Sequence, residues 1–331
     1  MQLYAPRTAE IWRDKAMSVR PYIKLARFDH WIKNIFVLPG VVLAYNWYGE
    51  TSLAALAGDI IMALLLTGFA ASANYTINEW LDAKTDAFHP VKKNRPSVSG
   101  QVTAGFVFLE WLLFAALSLG GAWFFGNLTL FCFLLALLVM GIVYNVEPMR
   151  SKDKAYLDVL SESINNPLRF LIGWSMIAQS VLPPSSVLLA YWMGGAFLMA
   201  VKRYSELRYI ADPAQAVLYR KSFSQYTQTS LILSSFYYAM LCCFFLGVFI
   251  IKYRIELVLA MPLIAFLFIW YFAIGLREDS AAQRPEKLYR EKAFMAYVAF
   301  LCVFVLAILV LELPWLQILV EPVYLSQPME E

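Results

Sequence analysis

Apolar stretches of about 20 residues, the length of helix needed to span hydrocarbon, recur along this chain with short charged segments between them. Hydrophobic residues fill 60% of the 331 positions and charged residues 15%. One large soluble domain could have that composition, but the clustering of the charges into a few segments excludes it. The chain is expected to be an all-α polytopic membrane protein with nine transmembrane helices. They are read at 34–49, 55–77, 104–124, 127–145, 156–180, 185–201, 229–251, 255–276 and 293–313. Residues 1–33 are charged, and no small-residue cleavage pattern follows the first apolar run, so no cleavable signal is expected. The stretch 5–33 is basic and partly amphipathic, as in segments that lie on a membrane surface.

Lysines and arginines predict the orientation. Seven lie in residues 1–33, and four, three, five and five lie in the loops after spans 2, 4, 6 and 8. The loops after spans 1, 3 and 5 carry none, and the loop after span 7 carries only Lys252 and Arg254. This bias puts the N-terminus and the even-numbered loops in the cytoplasm and the base-poor C-terminal tail outside. The expected location is the plasma (inner) membrane. The net charge of +3 then reports topology, and no nucleic-acid partner is expected. Cys132, Cys242, Cys243 and Cys302 lie inside spans as small apolar residues. With His30 and His89 far apart, the cysteines and histidines predict neither a disulfide framework nor a zinc site.

Against this apolar background, residues 78–100, NEWLDAKTDAFHPVKKNRPSVSG, gather acids and then bases. If the span 2 helix continues into this stretch, Asn74, Asn78, Asp82 and Asp86 recur every four residues along one face. Span 5 opens with YLDVLSESINNPLRF, where Asp158, Glu162 and Asn166 repeat that spacing and Asn165 and Arg169 fall close by. Both sets sit at cytoplasmic ends of spans. Charged groups that enter a span are costly and usually face a polar cavity or a partner. Two acidic faces at one depth suit hard divalent cations, which take oxygen ligands, and magnesium is commonly held by one or two carboxylates together with substrate phosphates. Lys92, Lys93, Arg95, Lys202 and Arg203 could neutralise the remaining phosphate charge. The plainer alternative is a solvated loop, with Asp158 and Glu162 merely paired to Arg169 or Lys154. Two motifs of like spacing at one membrane face count against it. Asp59 and Glu110 are lone acids without a repeating partner, for which structural pairing or an interfacial position is expected.

These segments resemble the UbiA superfamily of intramembrane prenyltransferases. NEWLDAKTD is similar to its first aspartate-rich motif, N-D-x-x-D-x-x-x-D, and HPVKKNRPSVSG to the basic Arg-Pro continuation. DVLSE (158–162) stands at the place of the second motif, D-x-x-x-D, and Tyr144 with Arg150 or Lys152 stands where a Tyr and a Lys precede it. HWIKNIFVLPG (30–40), VKRYSELR (201–208) and YRKSFSQYT (219–227) resemble segments of the decaprenyl-phosphate phosphoribosyltransferase branch. Glu79 and Glu162 replace aspartates of the two motifs, and RFDHW (27–31) departs from the branch's usual Arg-Pro-Arg-Gln-Trp stretch.

The resemblance implies a domain over 34–313, with half-bundles at about 34–145 and 156–276 around a lipid-accessible cavity and a ninth helix at about 293–313. Residues 1–33 would be a basic cytoplasmic segment and 314–331 a tail. The implied activity is magnesium-dependent transfer of a 5-phosphoribosyl group from 5-phosphoribosyl-1-diphosphate to a polyprenyl (decaprenyl-type) phosphate for cell-envelope synthesis. Asn78, Asp82, Asp86, Asp158 and Glu162 are the expected Mg2+ ligands, with Glu79 a weaker member and Asn74 and Asn166 behind them. Asp82, Asp86 and Asp158 are the expected catalytic acids. Lys33, Lys93, Arg95, Tyr144, Arg169, Lys202 and Arg203 are the expected substrate contacts, and Trp31 and Tyr204 could line the cavity. Two alternatives stay open at this point. One is a family member that moves a prenyl group from a prenyl diphosphate to an aromatic acceptor. The other is a cation-coupled transporter, whose acids would be expected near the midplane in broken helices.

Overall fold

The computed structural model describes residues 19–319 apart from 51, 211, 279 and 284. The expected surface segment before residue 19 and the tail after residue 319 lie outside the described residues. All regular structure among the described residues is helical. In chain order the α-helices are α1 (Arg20–Leu25), α2 (Leu38–Tyr48), α3 (Leu53–Leu81), α4 (Ala83–Asp86), α5 (Ala104–Phe124), α6 (Leu128–Asn145), α7 (Leu157–Ser163), α8 (Asn165–Ile177), α9 (Ser185–Ile210), α10 (Pro213–Tyr219), α11 (Gln228–Tyr253), α12 (Met261–Gly275) and α13 (Lys292–Val310).

Seven helical stretches are long and apolar enough to cross a membrane: Ala54–Leu81, Ala104–Phe124, Leu128–Asn145, Ser185–Ile210, Gln228–Tyr253, Ile255–Gly275 and Lys292–Val310. The chain is an integral membrane protein. The other two predicted spans, 34–49 and 156–180, are not single helices. Residues Phe28–Val37 wind as a 3-10 helix that hands over to α2, and the second span is split into α7 and α8. Proline explains both breaks. Pro39 has no N–H to return to Ile35, and the preceding residue, Leu38, donates instead to Ile35 O in the tighter 3-10 pattern. Pro167 has none for Ser163, the residue at which α7 ends.

The interrupted pieces pack on each other backbone to backbone. A Cβ at Gly40 of α2 would stand 2.0 Å from the Phe170 carbonyl oxygen, and one at Gly173 of α8 would stand 2.0 Å from that of Val37. Only glycine allows this crossing.

The largest apolar clusters among the described residues hold the long helices together. Ala63, Leu66, Ala70 and Ala73 of α3 pack with Ala115 and Ala122 of α5, Leu130, Leu134 and Leu137 of α6, and Ile172 of α8. Val159, Ala196, Phe197 and Val201 pack with Tyr238 of α11, Ile274 of α12 and Phe294 of α13. A third cluster joins α2 and α8 to α11 and α13 through Leu43, Trp174, Phe249 and Ile308. Helix α3, with 29 residues, is about 44 Å long against about 30 Å of hydrocarbon. Its last turns, which carry Asn78 and Glu79, therefore sit at the rim of the apolar layer.

Candidate functional site

Helix α3 delivers the first acidic motif as it ends. Asn74 donates to the Leu137 carbonyl of α6 at 2.8 Å, in a gap that exists because Gly141 has no side chain there. One turn later the Asn78 amide donates to Asp82 Oδ2 at 3.2 Å and to Asn145 Oδ1 at 2.5 Å. Its carbonyl oxygen is left as the atom able to face a cation. Asp82 is the C-terminal cap of α3. Its Oδ1 accepts from Arg150 Nη2 at 3.1 Å and from the Lys152 ammonium, which also reaches Asn145 Oδ1 at 2.8 Å. Burial alone would raise the Asp82 carboxyl, but Lys152, then Arg150 and Arg220, hold it below the usual carboxylate range. Burial pushes the Lys152 ammonium down to about 8, against the pull of Asp82.

The four-residue face does not run on as one helix. The chain turns at Asp82 and restarts as α4, so Asp86 meets Arg95 at 2.5 Å instead of joining Asp82. Arg95 also lies 3.8 Å from Glu79. Burial raises the Asp86 carboxyl in spite of Arg95.

The second motif is tied to the loop after α9. Asp158 is fully buried. Its Oδ2 accepts from Arg203 Nε (3.1 Å), Arg220 Nη1 (3.2 Å) and Ser222 (3.2 Å), and its Oδ1 from the Tyr226 hydroxyl (2.7 Å). Glu162 Oε2 accepts from Tyr144 at 2.8 Å and Arg203 Nη2 at 2.5 Å, and Oε1 lies 3.8 Å from Lys202. Arg203, 1% exposed, also holds Glu206 at 2.9 Å, and Glu206 faces Lys92 at 3.5 Å. Arg220 reaches Tyr144 and the Lys152 carbonyl. That link joins the Asp82 group to the Asp158 group in one network.

Beside this network opens a cavity of about 640 Å³, lined by Lys24, Arg27, Lys33, Lys92, Arg95 and Lys202 together with Glu79 and Glu206. Among the described residues, three non-glycine residues hold positive φ, namely Arg27 (49°), Arg150 (29°) and Tyr156 (65°). All three are at this site. Strained backbone of this kind persists where the surroundings over-determine it, and it aims side chains that a relaxed loop would not.

The predicted contacts divide. Tyr144, Lys202 and Arg203 are in the network, Arg95 holds Asp86, and Lys33 lines the cavity and bonds His30 at 3.1 Å. Lys93 is exposed, and its neighbour Lys92 turns inward to Tyr219 and Glu206. Arg169 stands apart, bonded to Asn34. Trp31 packs on Gly68 and donates to Ser72, and Tyr204 lies in a buried cluster with Tyr219 and Phe223. Among the lone acids, Glu110 keeps one buried carboxylate oxygen without a partner. Residues that the spacing did not single out are Asn145, Glu206, Arg220 and Tyr226. Glu206 carried a weak signal, since it lies three residues from Arg203 on one helix face.

Among the described residues no three His, Cys, Asp or Glu side chains converge at metal-binding distance; the acids hold lysine and arginine instead. The donor set nevertheless suits a hard cation. The Lys152 ammonium is held between Asp82 Oδ1 and Asn145 Oδ1, as a stand-in cation among oxygen ligands of the kind magnesium takes. An alternating lattice of acids and bases can exchange partners when a metal–phosphate ligand arrives, with acids turning to metal and bases to phosphate.

Residues 34–298 match the UbiA prenyltransferase family. The decaprenyl-phosphate phosphoribosyltransferase of Mycobacterium tuberculosis is 29% identical over 217 residues, which span 65% of this chain and 69% of that protein. The protein of the same name from Mycolicibacterium smegmatis is 32% identical over 214 residues, 63% of each chain. Among solved structures, a UbiA homolog from Archaeoglobus fulgidus bound to GPP and Mg2+ superposes with a TM-score of 0.64 at 22% identity, covering 88% of this chain and 100% of that one. The last likeness is one of fold.

Proposed function

Because this chain belongs to the UbiA prenyltransferase family, and is a membrane transferase, we propose that it moves a 5-phosphoribosyl group from 5-phosphoribosyl-1-diphosphate to a polyprenyl phosphate. The observation that carries this reading is the cavity with six basic side chains next to the acidic network. A donor with a diphosphate at one end and a phosphate at the other needs cationic contacts at both, which a prenyl diphosphate does not. The names of the mycobacterial relatives support the same substrates.

On this reading Asp82, Asp86, Asp158 and Glu162, with the Asn78 side-chain carbonyl, would hold divalent magnesium, and the bases now paired with those carboxylates would be released to the donor's phosphates. A cation bound there would offset the charge that builds on the departing diphosphate. Arg95, Lys202 and Arg203 supply further positive charge to the same oxygens without solvent reorganisation. The bond from the anomeric carbon to diphosphate breaks, its electron pair leaves with the diphosphate, and the sugar passes through an oxocarbenium-like transition state. An oxygen of the lipid phosphate forms the new bond. That oxygen is already anionic, so no general base is needed.

The deciding experiment mixes the protein in lipid with magnesium, a polyprenyl phosphate and labelled 5-phosphoribosyl-1-diphosphate. Label should become lipid-extractable, and the transfer should vanish in Asp82→Asn. The fold shared with a neighbour bound to GPP favours a second reading, prenyl transfer to an aromatic acceptor. That reading stands if no ribosyl label moves and a prenyl diphosphate is consumed with an aromatic acid.

A further inference from the structure

Every buried base in the acidic network has a carboxylate partner, but Arg169 has none. It is 8% exposed in the first turns of α8. Among the described residues no carboxylate lies within 4.0 Å of it. Its two hydrogen bonds go to neutral oxygens, Asn34 Oδ1 and the Asn165 carbonyl, each at 3.3 Å. Two further groups beside it are unsatisfied. Asn34 is 2% exposed, and its Nδ2 is a buried donor without an acceptor, while Asn165 Oδ1 is a buried acceptor without a donor. The titratable groups near enough to influence Arg169 are Tyr75, Glu162 and Tyr191, none of them in an ion pair with it.

A guanidinium enclosed in a membrane bundle without a counter-ion is expensive, and so is an amide donor with nothing to bond. One anionic oxygen cluster would satisfy both. Arg169 is also rigidly mounted, because the next residue, Phe170, is where α8 meets the backbone of α2 at Gly40. Asn34 belongs to the 3-10 segment leading into the same crossing. Arg169 follows Glu162 by seven positions and sits on α8, beyond the break that ends α7. The basic cavity lined by Lys24, Arg27 and Lys33 suits a water-soluble donor, and neither Arg169 nor Asn34 is among its lining residues.

We propose that Arg169 and the Asn34 amide hold the phosphate monoester headgroup of the lipid acceptor, and that this phosphate is the missing counter-ion. The assignment rests on the phosphoribosyl-transfer reading for the identity of the acceptor, but the binding of a lipid phosphate can be measured without turnover.

The test uses the full chain in detergent micelles, with farnesyl phosphate and farnesol as probes and tryptophan fluorescence as the readout. The wild type should prefer the phosphate over the alcohol by on the order of tenfold or more, the worth of a charge-assisted pair. Arg169→Met and Asn34→Leu should each lose most of that preference. Arg169→Lys should keep part of it, and all three variants should bind 5-phosphoribosyl-1-diphosphate as the wild type does. Ligand-free Arg169→Met should melt no lower than the wild type, because the substitution removes an unpaired buried charge; a merely structural arginine would lower the melting temperature and leave the preference intact. If Arg169→Met does not fold, Asn34→Leu and Arg169→Lys decide. Undiminished, wild-type preference for the phosphate in these variants overturns the proposal, as does weakened donor binding with normal farnesyl phosphate binding, which would put the donor's own phosphate at this site. Lost preference in a protein that transfers no ribosyl label leaves the lipid-phosphate site standing and overturns only the acceptor reading of the preceding section.

Discussion

Asp82 and Arg203 are both nearly enclosed and both charged, yet removing them should have different consequences. Asp82→Asn keeps the shape and the hydrogen bond from Asn78 and takes away the charge that faces Lys152 and Arg150. The expected result is a folded protein whose transfer rate falls by about 100-fold or more, read in the label-transfer assay beside size-exclusion chromatography. Arg203 is instead the common partner of Asp158, Glu162 and Glu206. Arg203→Met would strand buried carboxylates, at a cost of roughly 3–5 kcal/mol. A drop in melting temperature large enough to report that loss is expected, and a wild-type melting curve would sink this account of the network. Lys93→Ala, at an exposed position, should change stability by less than about 0.5 kcal/mol.

At the scale of elements, the crossing of α2 and α8 leaves no room for a side chain at Gly40 or Gly173. Gly173→Ala sets a methyl group 2.0 Å from the Val37 carbonyl oxygen, and a backbone atom cannot step aside as a side-chain end can. Overpacking of this sort costs about 1–3 kcal/mol and often more where backbone is involved. Gly105→Ala is the matched control. It sits in the first turn of α5 with open space around its Cβ, so the higher helix propensity of alanine should leave stability unchanged or raised by up to about 1 kcal/mol. Equal melting temperatures for the two variants would show that the crossing tolerates expansion.

For the whole molecule, the distribution of lysine and arginine predicts that the acidic network lies at the cytoplasmic face. Two single-cysteine reporters check it in intact cells with a membrane-impermeant thiol reagent. Ser99→Cys, in the loop between α4 and α5, should be protected until the cells are opened, while Ser180→Cys, in the loop between α8 and α9, should react at once. Both positions are exposed. The reverse pattern would turn the protein over and put the basic cavity outside.

Much of this architecture was legible before any coordinates, because lipid allows so few solutions. A helix must be long and apolar to cross, so its length and composition announce it, and the seven spanning helices follow the apolar runs closely. The acidic spacing was legible for the same reason: carboxylates are too costly in an apolar chain to recur by accident. What the sequence could not settle was which base meets which acid. Periodicity describes one helix, whereas Asp82 and Lys152 are 70 positions apart and meet because α6 and the turn after it fold back beside α3. The choice of Lys92 over Lys93 likewise came from one tight 3-10 turn. The prolines at 39 and 167 were visible as residues, but that two interrupted spans would cross backbone to backbone at Gly40 and Gly173 was decided only in three dimensions. Local periodicity encodes which segments enter the membrane, and long-range packing selects which polar groups they bring together there.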